Sequence, residues 1–173
     1  MAADNRTTAV IAVAWAWRNA PALLAGAATA ILGAALFFQH AMGLQPCELC
    51  ILQRWGVLAS GVAALAALAG RRWAAARSAM LVTAGMALLA TAGIAGFHVG
   101  VEQHWWAMPA SCVGAAGGGA SSLDALRAAV LVAKPVECDV VQWSFLGVSM
   151  AGWNIPLSLG LAAFALGAAA RPR

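Results

Sequence analysis

The sequence is short of charge. Only 9% of its 173 residues are Asp, Glu, Lys or Arg, while 63% are apolar. Soluble domains carry about 25% charged residues, so this scarcity excludes an ordinary soluble fold and predicts a membrane protein. The chain also lacks a polar stretch long enough to build a second core, which predicts a single domain over residues 1–173.

Negative charge is scarcer than positive charge: six acidic residues stand against ten basic ones, for a net charge of +4. A basic balance raises the question of nucleic acid. Here the arginines stand at the ends of apolar runs rather than in one patch, and that arrangement is typical of membrane topology. We therefore predict no nucleic-acid partner.

Cysteine is also rare, and its spacing argues against several kinds of site. The four cysteines are Cys47, Cys50, Cys112 and Cys138. The chain has no second close pair, which a four-thiolate zinc site usually needs, and we predict no metal. A c-type haem site needs His directly after the second cysteine, where Ile51 stands, and a thioredoxin motif needs a βαβ context that the chain lacks.

Four apolar runs are long enough to cross a bilayer, which takes about 20 residues. They lie at approximately residues 21–38, 51–70, 78–98 and 153–170. The sequence therefore predicts an all-α membrane protein, a four-helix transmembrane bundle. The earlier run Ala9 to Trp17 is too short to span and is predicted to lie at the interface.

The basic residues predict the orientation of this bundle. Seven of the ten fall on the side of both termini: Arg6, Arg18, Arg71, Arg72, Arg77, Arg171 and Arg173. The positive-inside rule makes that side cytoplasmic. The loops at approximately 39–50 and 99–152, which hold all four cysteines, then face outward. In a bacterium this is the periplasm, where disulfides persist.

The second outer loop contains a glycine tract, Gly114 to Gly119, followed by a segment of helical periodicity. Leu123, Leu126 and Val130 recur at helical spacing, which predicts a short amphipathic helix over Ser121 to Lys134. This helix either lies on the membrane surface or packs on the bundle, and the sequence favours neither.

The first cysteine pair is the main candidate for chemistry. Two cysteines separated by two residues close almost no loop, so their disulfide stabilises the fold little and a redox role is favoured. Arg54 follows Cys50 by four residues, which places both on one helix face. The helix N-terminus and the guanidinium would then favour a thiolate at Cys50.

Arg54 is a charge just inside an apolar span and is therefore a functional candidate by default. Its simpler role is snorkelling to lipid headgroups. The spacing to Cys50 favours thiolate stabilisation, quinone contact, or both. Among the histidines only His104, just past the third span, is a candidate site residue.

The second cysteine pair has two interpretations. Spacing alone favours Cys112 and Cys138 as a staple of the long loop, whereas the adjacent glycine tract favours a disulfide that must move to meet a partner. Two pairs on one face favour a relay, in which one pair meets a soluble partner and the other passes electrons to an acceptor at the membrane.

These features resemble the DsbB family, the disulfide bond formation proteins of bacterial inner membranes. The resemblance rests on Phe38-Gln39-His40-Ala41-Met42 with Pro46 to Arg54, on Val101-Glu102-Gln103-His104, and on Cys138 with Gln142 to Gly147 and Met150. It covers all four spans and both cysteine pairs. The loop around Gly114 to Gly119 departs from the family.

The resemblance implies an enzyme, a quinone-dependent protein-disulfide oxidoreductase. Its cofactor would be a membrane quinone (ubiquinone or menaquinone), and its partner a periplasmic thioredoxin-like oxidase of the DsbA type. The protein would cross the inner membrane several times, in contact with lipid, with its active face periplasmic.

The resemblance also implies residue roles. A disulfide between Cys112 and Cys138 would be attacked by the partner, and Cys138 would then exchange with Cys47 and free Cys50. Arg54 and His104 would be the cofactor-binding candidates. The alternatives are a paralogue dedicated to one substrate, a non-enzymatic membrane protein with two structural disulfides, and a metal-binding protein that uses the outer cysteines and His104.

Overall fold

A computed structural model describes residues 2–107, 109 and 138–171. Within them lie five helices and a two-stranded hairpin: α1 (Ala2–Arg18), α2 (Ala20–Ala41), α3 (Glu48–Ala69), α4 (Ala74–Glu102), β1 (Ser144–Phe145), β2 (Val148–Ser149) and α5 (Met150–Ala169). The amphipathic helix predicted over Ser121 to Lys134 lies outside the described residues, and so does Cys112.

Helices α2 to α5 are each long and apolar enough to cross a membrane. The prediction of an all-α, four-helix membrane bundle is confirmed. The helices extend past the predicted spans at the cysteine-bearing end, since α3 begins at Glu48 and α4 continues for 29 residues to Glu102. Helix α1 is separate from α2: the helix is interrupted at Asn19, which caps α2, and Pro21 lies in the first turn of α2, where its missing N–H costs nothing.

Helix α4 is the centre of the bundle and packs against both α3 and α5, while α2 packs mainly on α3 and only lightly on α5. Alanine dominates the buried apolar residues. Lipid offers little hydrophobic driving force between helices, so small residues that let backbones approach closely hold such bundles together. At Gly56, for example, a Cβ atom would lie 2.1 Å from the Thr91 hydroxyl.

The end of the bundle opposite the cysteines is tied by a buried arginine. Arg77 is 3% exposed. Its guanidinium donates to the carbonyls of Ala168 (3.4 Å) and Trp17 (3.2 Å), in the last turns of α5 and α1. These carbonyls have no partner within their own helices, and a cation there also meets the negative end of the helix dipole. Arg77 therefore links α1, α4 and α5.

The hairpin at the cysteine-bearing end directs the chain into α5. Its strands pair antiparallel, with Ser144 opposite Ser149, and its turn residues Leu146 and Gly147 have φ of 54° and 77°. Two consecutive left-handed residues are the requirement of a type I′ turn. Ser149 then caps α5, because its hydroxyl accepts a hydrogen bond from the Gly152 N–H at 3.1 Å.

Candidate functional site

The first cysteine pair lies at the N-terminus of α3. Cys47 is the N-cap residue, and its sulfur accepts the Cys50 N–H at 3.4 Å. The two thiols are free, and their sulfurs are 3.0 Å apart. Cys47 is only 4% exposed, while Cys50 is half-buried. A thiolate at Cys47 therefore meets the positive end of the helix dipole, away from water.

His98, on α4, faces this pair. Its Nε2 lies 3.6 Å from the Cys47 sulfur and 3.8 Å from Glu102 Oε1, and the ring also hydrogen-bonds to the backbone of Cys138. On the other side of the ring, Nδ1 lies 3.0 Å from the Gln53 side-chain nitrogen. His98 is thus held between α3 and the chain that enters α5.

A directed chain of hydrogen bonds fixes which ring nitrogen carries the proton. The Ser158 hydroxyl donates to Asn154 at 3.1 Å, and the Asn154 amide donates to Gln53 Oε1 at 2.7 Å. The Gln53 amide nitrogen is therefore the atom that faces His98, where it donates to Nδ1. The proton then lies on Nε2, which points at the sulfur of Cys47.

These contacts stabilise a thiolate at Cys47. The hydrogen bond from the Cys50 thiol lowers the pKa of Cys47 to about 4, and the His98 ring contributes in the same direction while burial opposes both. The sequence predicted the thiolate at Cys50, next to Arg54. The structure favours Cys47 in the reduced pair, because the contacts of His98 converge on that sulfur rather than on Cys50.

The second cysteine pair reaches the first through Cys138. Cys138 is 1% exposed and disulfide-bonded, and its partner lies outside the described residues. It belongs to one buried apolar cluster with Cys47, Leu49 and Val101. The free pair and the oxidised cysteine therefore meet in a dry region at one end of the bundle.

Arg54 points toward α2. Its guanidinium donates to the Gln39 side chain and, at 3.3 Å, to the carbonyl of Ala35. Among the described contacts its hydrogen bonds thus go to α2, although it shares a cavity with Cys50.

This cavity has a volume of about 480 Å³, within the range of roughly 300–1,000 Å³ that small-molecule sites occupy. Apolar side chains such as Phe38, Val57 and Leu157 form most of its wall. Polar side chains supply the smaller part of the wall and gather at the cysteine-bearing end, as expected of a site that orients an apolar ligand by one polar head.

One cluster among the described residues brings three possible metal ligands together. The ligand atoms of Cys47, Cys50 and His98 lie within 4.8 Å of one another. Two thiolates on a tetrahedral zinc ion, with Zn–S bonds of about 2.3 Å, would be separated by about 3.8 Å. The 3.0 Å between these sulfurs suits a shared proton better than a shared metal.

The structure brings together Cys47, Cys50 and Arg54 and places Cys138 beside them. His104 lies elsewhere: its side chain is 75% exposed, lies 3.8 Å from Asp139, and does not line the cavity. Sequence reasoning passed over His98, since a lone histidine at a span end resembles an interfacial residue. The signal that could have identified it is Glu102, four residues later on the same helix face.

Comparisons with known proteins show which family the chain resembles. The sequence model of a family described as Disulfide bond formation protein DsbB matches residues 17–168. A relative named Disulfide bond formation protein B from Methylococcus capsulatus is 38% identical over 146 residues, which is 79% of this chain and 84% of the relative. Proteins of the same name from Acinetobacter baumannii (34% over 145 residues, 80% and 82%) and Acidovorax sp. (33% over 142 residues, 79% and 78%) are also similar.

Proposed function

Because the chain belongs to the DsbB family of disulfide bond formation proteins, we propose that it oxidises a periplasmic thioredoxin-like dithiol protein of the DsbA type and passes the two electrons to a membrane quinone. The observation that carries the proposal is the burial of a free pair, Cys47 and Cys50, against the disulfide-bonded Cys138, at the mouth of an apolar cavity.

The proposal places the protein in a bacterial inner membrane with its cysteines at the periplasmic face. Its support is the distribution of arginines: Arg18, Arg71, Arg72, Arg77 and Arg171 lie at the opposite end of the helices. The cysteine-bearing end keeps Arg54, whose guanidinium is tied to α2.

In the first half of the reaction, a thiolate of the partner attacks a disulfide between Cys112 and Cys138, most readily at Cys112. A mixed disulfide forms and Cys138 leaves as a thiolate. The partner's second thiol then releases the oxidised partner and leaves both cysteines reduced. The assignment of Cys112 as the disulfide partner is supported by the free thiols of Cys47 and Cys50, the other two cysteines of the chain.

In the second half, the Cys138 thiolate attacks an oxidised Cys47–Cys50 pair at Cys47, its neighbour in the buried cluster. A Cys47–Cys138 disulfide forms and Cys50 leaves with the electron pair. Cys112 then attacks Cys138, restores the Cys112–Cys138 disulfide and frees Cys47. Two electrons have now moved to the first pair. The described residues have this redox state, with Cys47 and Cys50 as free thiols and Cys138 in a disulfide.

The two sulfurs of the first pair have different roles in this scheme. While Cys47 is bonded to Cys138 it carries no charge, so the leaving thiolate is Cys50. Arg54 follows it by one helical turn and lines the same cavity. In the fully reduced pair the proton lies on Cys50, and Cys47 is the thiolate, stabilised by Cys50 and His98.

The cavity fits a quinone. Its long apolar wall suits an isoprenoid chain, and Arg54 and Gln39 lie at the end where the polar ring would be held beside Cys50. A quinone held there would supply the acceptor for two electrons and two protons. The chain's contribution is to bind the ring, to keep water from the sulfurs through the burial of Cys47, and to hold a proton at the Cys50 sulfur.

The test is quinone consumption by the purified protein in detergent, driven by a reduced thioredoxin-like partner and followed with both ubiquinone and menaquinone analogues. We expect turnover by the unaltered protein and none by Cys50→Ser. Arg54→Gln should raise the quinone concentration needed for half-maximal rate, and Arg72→Gln, which removes the same charge at the other end, should leave it unchanged.

Two results would overturn the proposal. One is the absence of turnover in the unaltered protein with every quinone and partner tried, which would favour two structural disulfides. The other is undiminished turnover in Cys50→Ser, which would remove the first pair from the electron path.

A further inference from the structure

A second cavity lies at the far end of the bundle from the cysteines, between α1 and the last turn of α5. Its volume is about 550 Å³. One wall is a face of α1 on which Ala9, Val10, Val13 and Trp17 recur at helical spacing. The facing wall includes Arg77, Ala168 and Arg171.

The charge of this cavity is entirely positive among the described residues that line it. They include three arginines, Arg18, Arg77 and Arg171, and no carboxylate. Arg171 is fixed over the ring of Trp17, 3.6 Å from its centroid, and Arg77 is buried at the base. Such a cluster creates a field that favours an anion, and a guanidinium matches the geometry of a phosphate.

The apolar wall decides what kind of anion fits. Val10 and Val13 are more than half exposed although they line the cavity, and Ile11 and Trp15, which do not line it, are exposed as well. A helix with such an exposed apolar segment and flanking polar residues lies in the lipid interface rather than in water. A small hydrated anion would leave the valines uncovered, whereas a phospholipid covers them with its acyl chains.

We propose that this cavity binds one anionic phospholipid, with its phosphate between Arg18 and Arg171 and its acyl chains along Val10 and Val13. The bound lipid fills the space between α1 and the bundle, which α1 otherwise contacts lightly. It thereby fixes α1 on the end of the protein where Arg77 joins the helices.

The test is native mass spectrometry of the full chain, extracted from nanodiscs of phosphatidylcholine with increasing phosphatidylglycerol. We expect one phosphatidylglycerol retained per chain. Each arginine near an anionic membrane surface is worth about a fivefold change in affinity. The Arg18→Gln, Arg171→Gln double variant should therefore bind about 30-fold more weakly. Arg71→Gln with Arg72→Gln, which removes two charges at the same end but outside the cavity, is the matched control.

A third variant tests the contribution of the cavity separately from that of the arginine charges. Val13→Trp fills the space without changing any arginine, and it should abolish retention while the protein stays folded and active at its thiols. Thermal unfolding in detergent distinguishes a lipid from a free anion. Phosphatidylglycerol should raise the melting temperature, and inorganic phosphate should not.

Several outcomes would overturn the assignment. Equal retention by the double variant and its control would show general surface attraction only. Retention of phosphatidylcholine as strongly as phosphatidylglycerol would remove the role of charge, and full retention by Val13→Trp would place the lipid elsewhere. A shift with phosphate alone would make the site an anion site rather than a lipid site.

Discussion

Replacing Gln53 with Met should raise the pKa of Cys47, although no described contact joins Gln53 to that sulfur. Gln53 donates to His98 Nδ1 and so keeps the proton on Nε2, which faces the sulfur of Cys47. Methionine has a similar length but no donor. The His98 ring could then move its proton to Nδ1 and turn a lone pair toward the Cys47 thiolate.

The size of the effect follows from one hydrogen bond. A hydrogen bond to a charged group is worth about 1.5–3 kcal/mol, and a change of 1.36 kcal/mol corresponds to one pKa unit. Loss of the His98 contribution therefore raises the pKa of Cys47 from about 4 to about 5 or 6. The hydrogen bond from Cys50, the larger cause of the low pKa, remains, so the pKa stays well below the ordinary value of 9.0.

The assay is the ultraviolet absorbance of the thiolate, followed against pH in protein whose first pair is reduced. The Cys47→Ser variant supplies the background. Cys47 is charged above its pKa, so the thiolate absorbance of the unaltered protein is lost as the pH falls through about 4. The absorbance of Gln53→Met should be lost at a higher pH. His98→Leu should reproduce the shift.

Gln142→Met is the matched control. Gln142 lines the same cavity but donates to the Gln45 carbonyl, with no described contact to His98. An unshifted titration in both Gln53→Met and His98→Leu would refute the reasoning, since it would show that the histidine contributes nothing to the charge at Cys47.

Two further predictions concern packing and the shared proton. Gly56→Ala should lower the melting temperature through an overpacking cost of about 1–3 kcal/mol, because the new Cβ would meet the Thr91 hydroxyl, whereas Gly93→Ala, with nothing within 4 Å, should not. Thr91→Ala should relieve that cost, and equal melting temperatures of the two glycine variants would contradict it. Cys50→Ala should raise the pKa of Cys47 toward 9.0 because it removes the hydrogen-bond donor, while Cys50→Ser keeps an O–H donor and a low pKa. Matching titration curves for these two variants would remove the shared proton as the cause.

Much of the fold could be predicted because its causes are local. An apolar run of about 20 residues is a sufficient condition for a spanning helix, and no knowledge of its neighbours is needed. The helix ends depend on more. Val99 to Glu102 extend α4 past its predicted end, and there Glu102 accepts a hydrogen bond from the Ser149 hydroxyl at the start of α5, a contact between distant parts of the chain.

The residues of the site likewise fall into those that one segment supplies and those that the packing of the helices brings together. The Cys47–Cys50 pair and Arg54 belong to one segment, so their spacing alone predicts that they lie together. His98 and Asn154 come from two other helices, and only the packing of the bundle brings them to Gln53. Arg54 could be recognised as unusual, but its bond to Gln39 depends on how α2 packs against α3.

The light contact between α2 and α5 has a consequence for how ligand supply is measured. These two helices supply much of the wall of the cavity beside Arg54, yet they scarcely touch each other. The proposed quinone would then reach that cavity sideways, from the hydrocarbon, without crossing water. The quantity that governs occupancy is then the mole fraction of ligand in the lipid or micelle phase. Adding empty micelles at a constant total amount of ligand should lower the turnover rate as effectively as removing ligand.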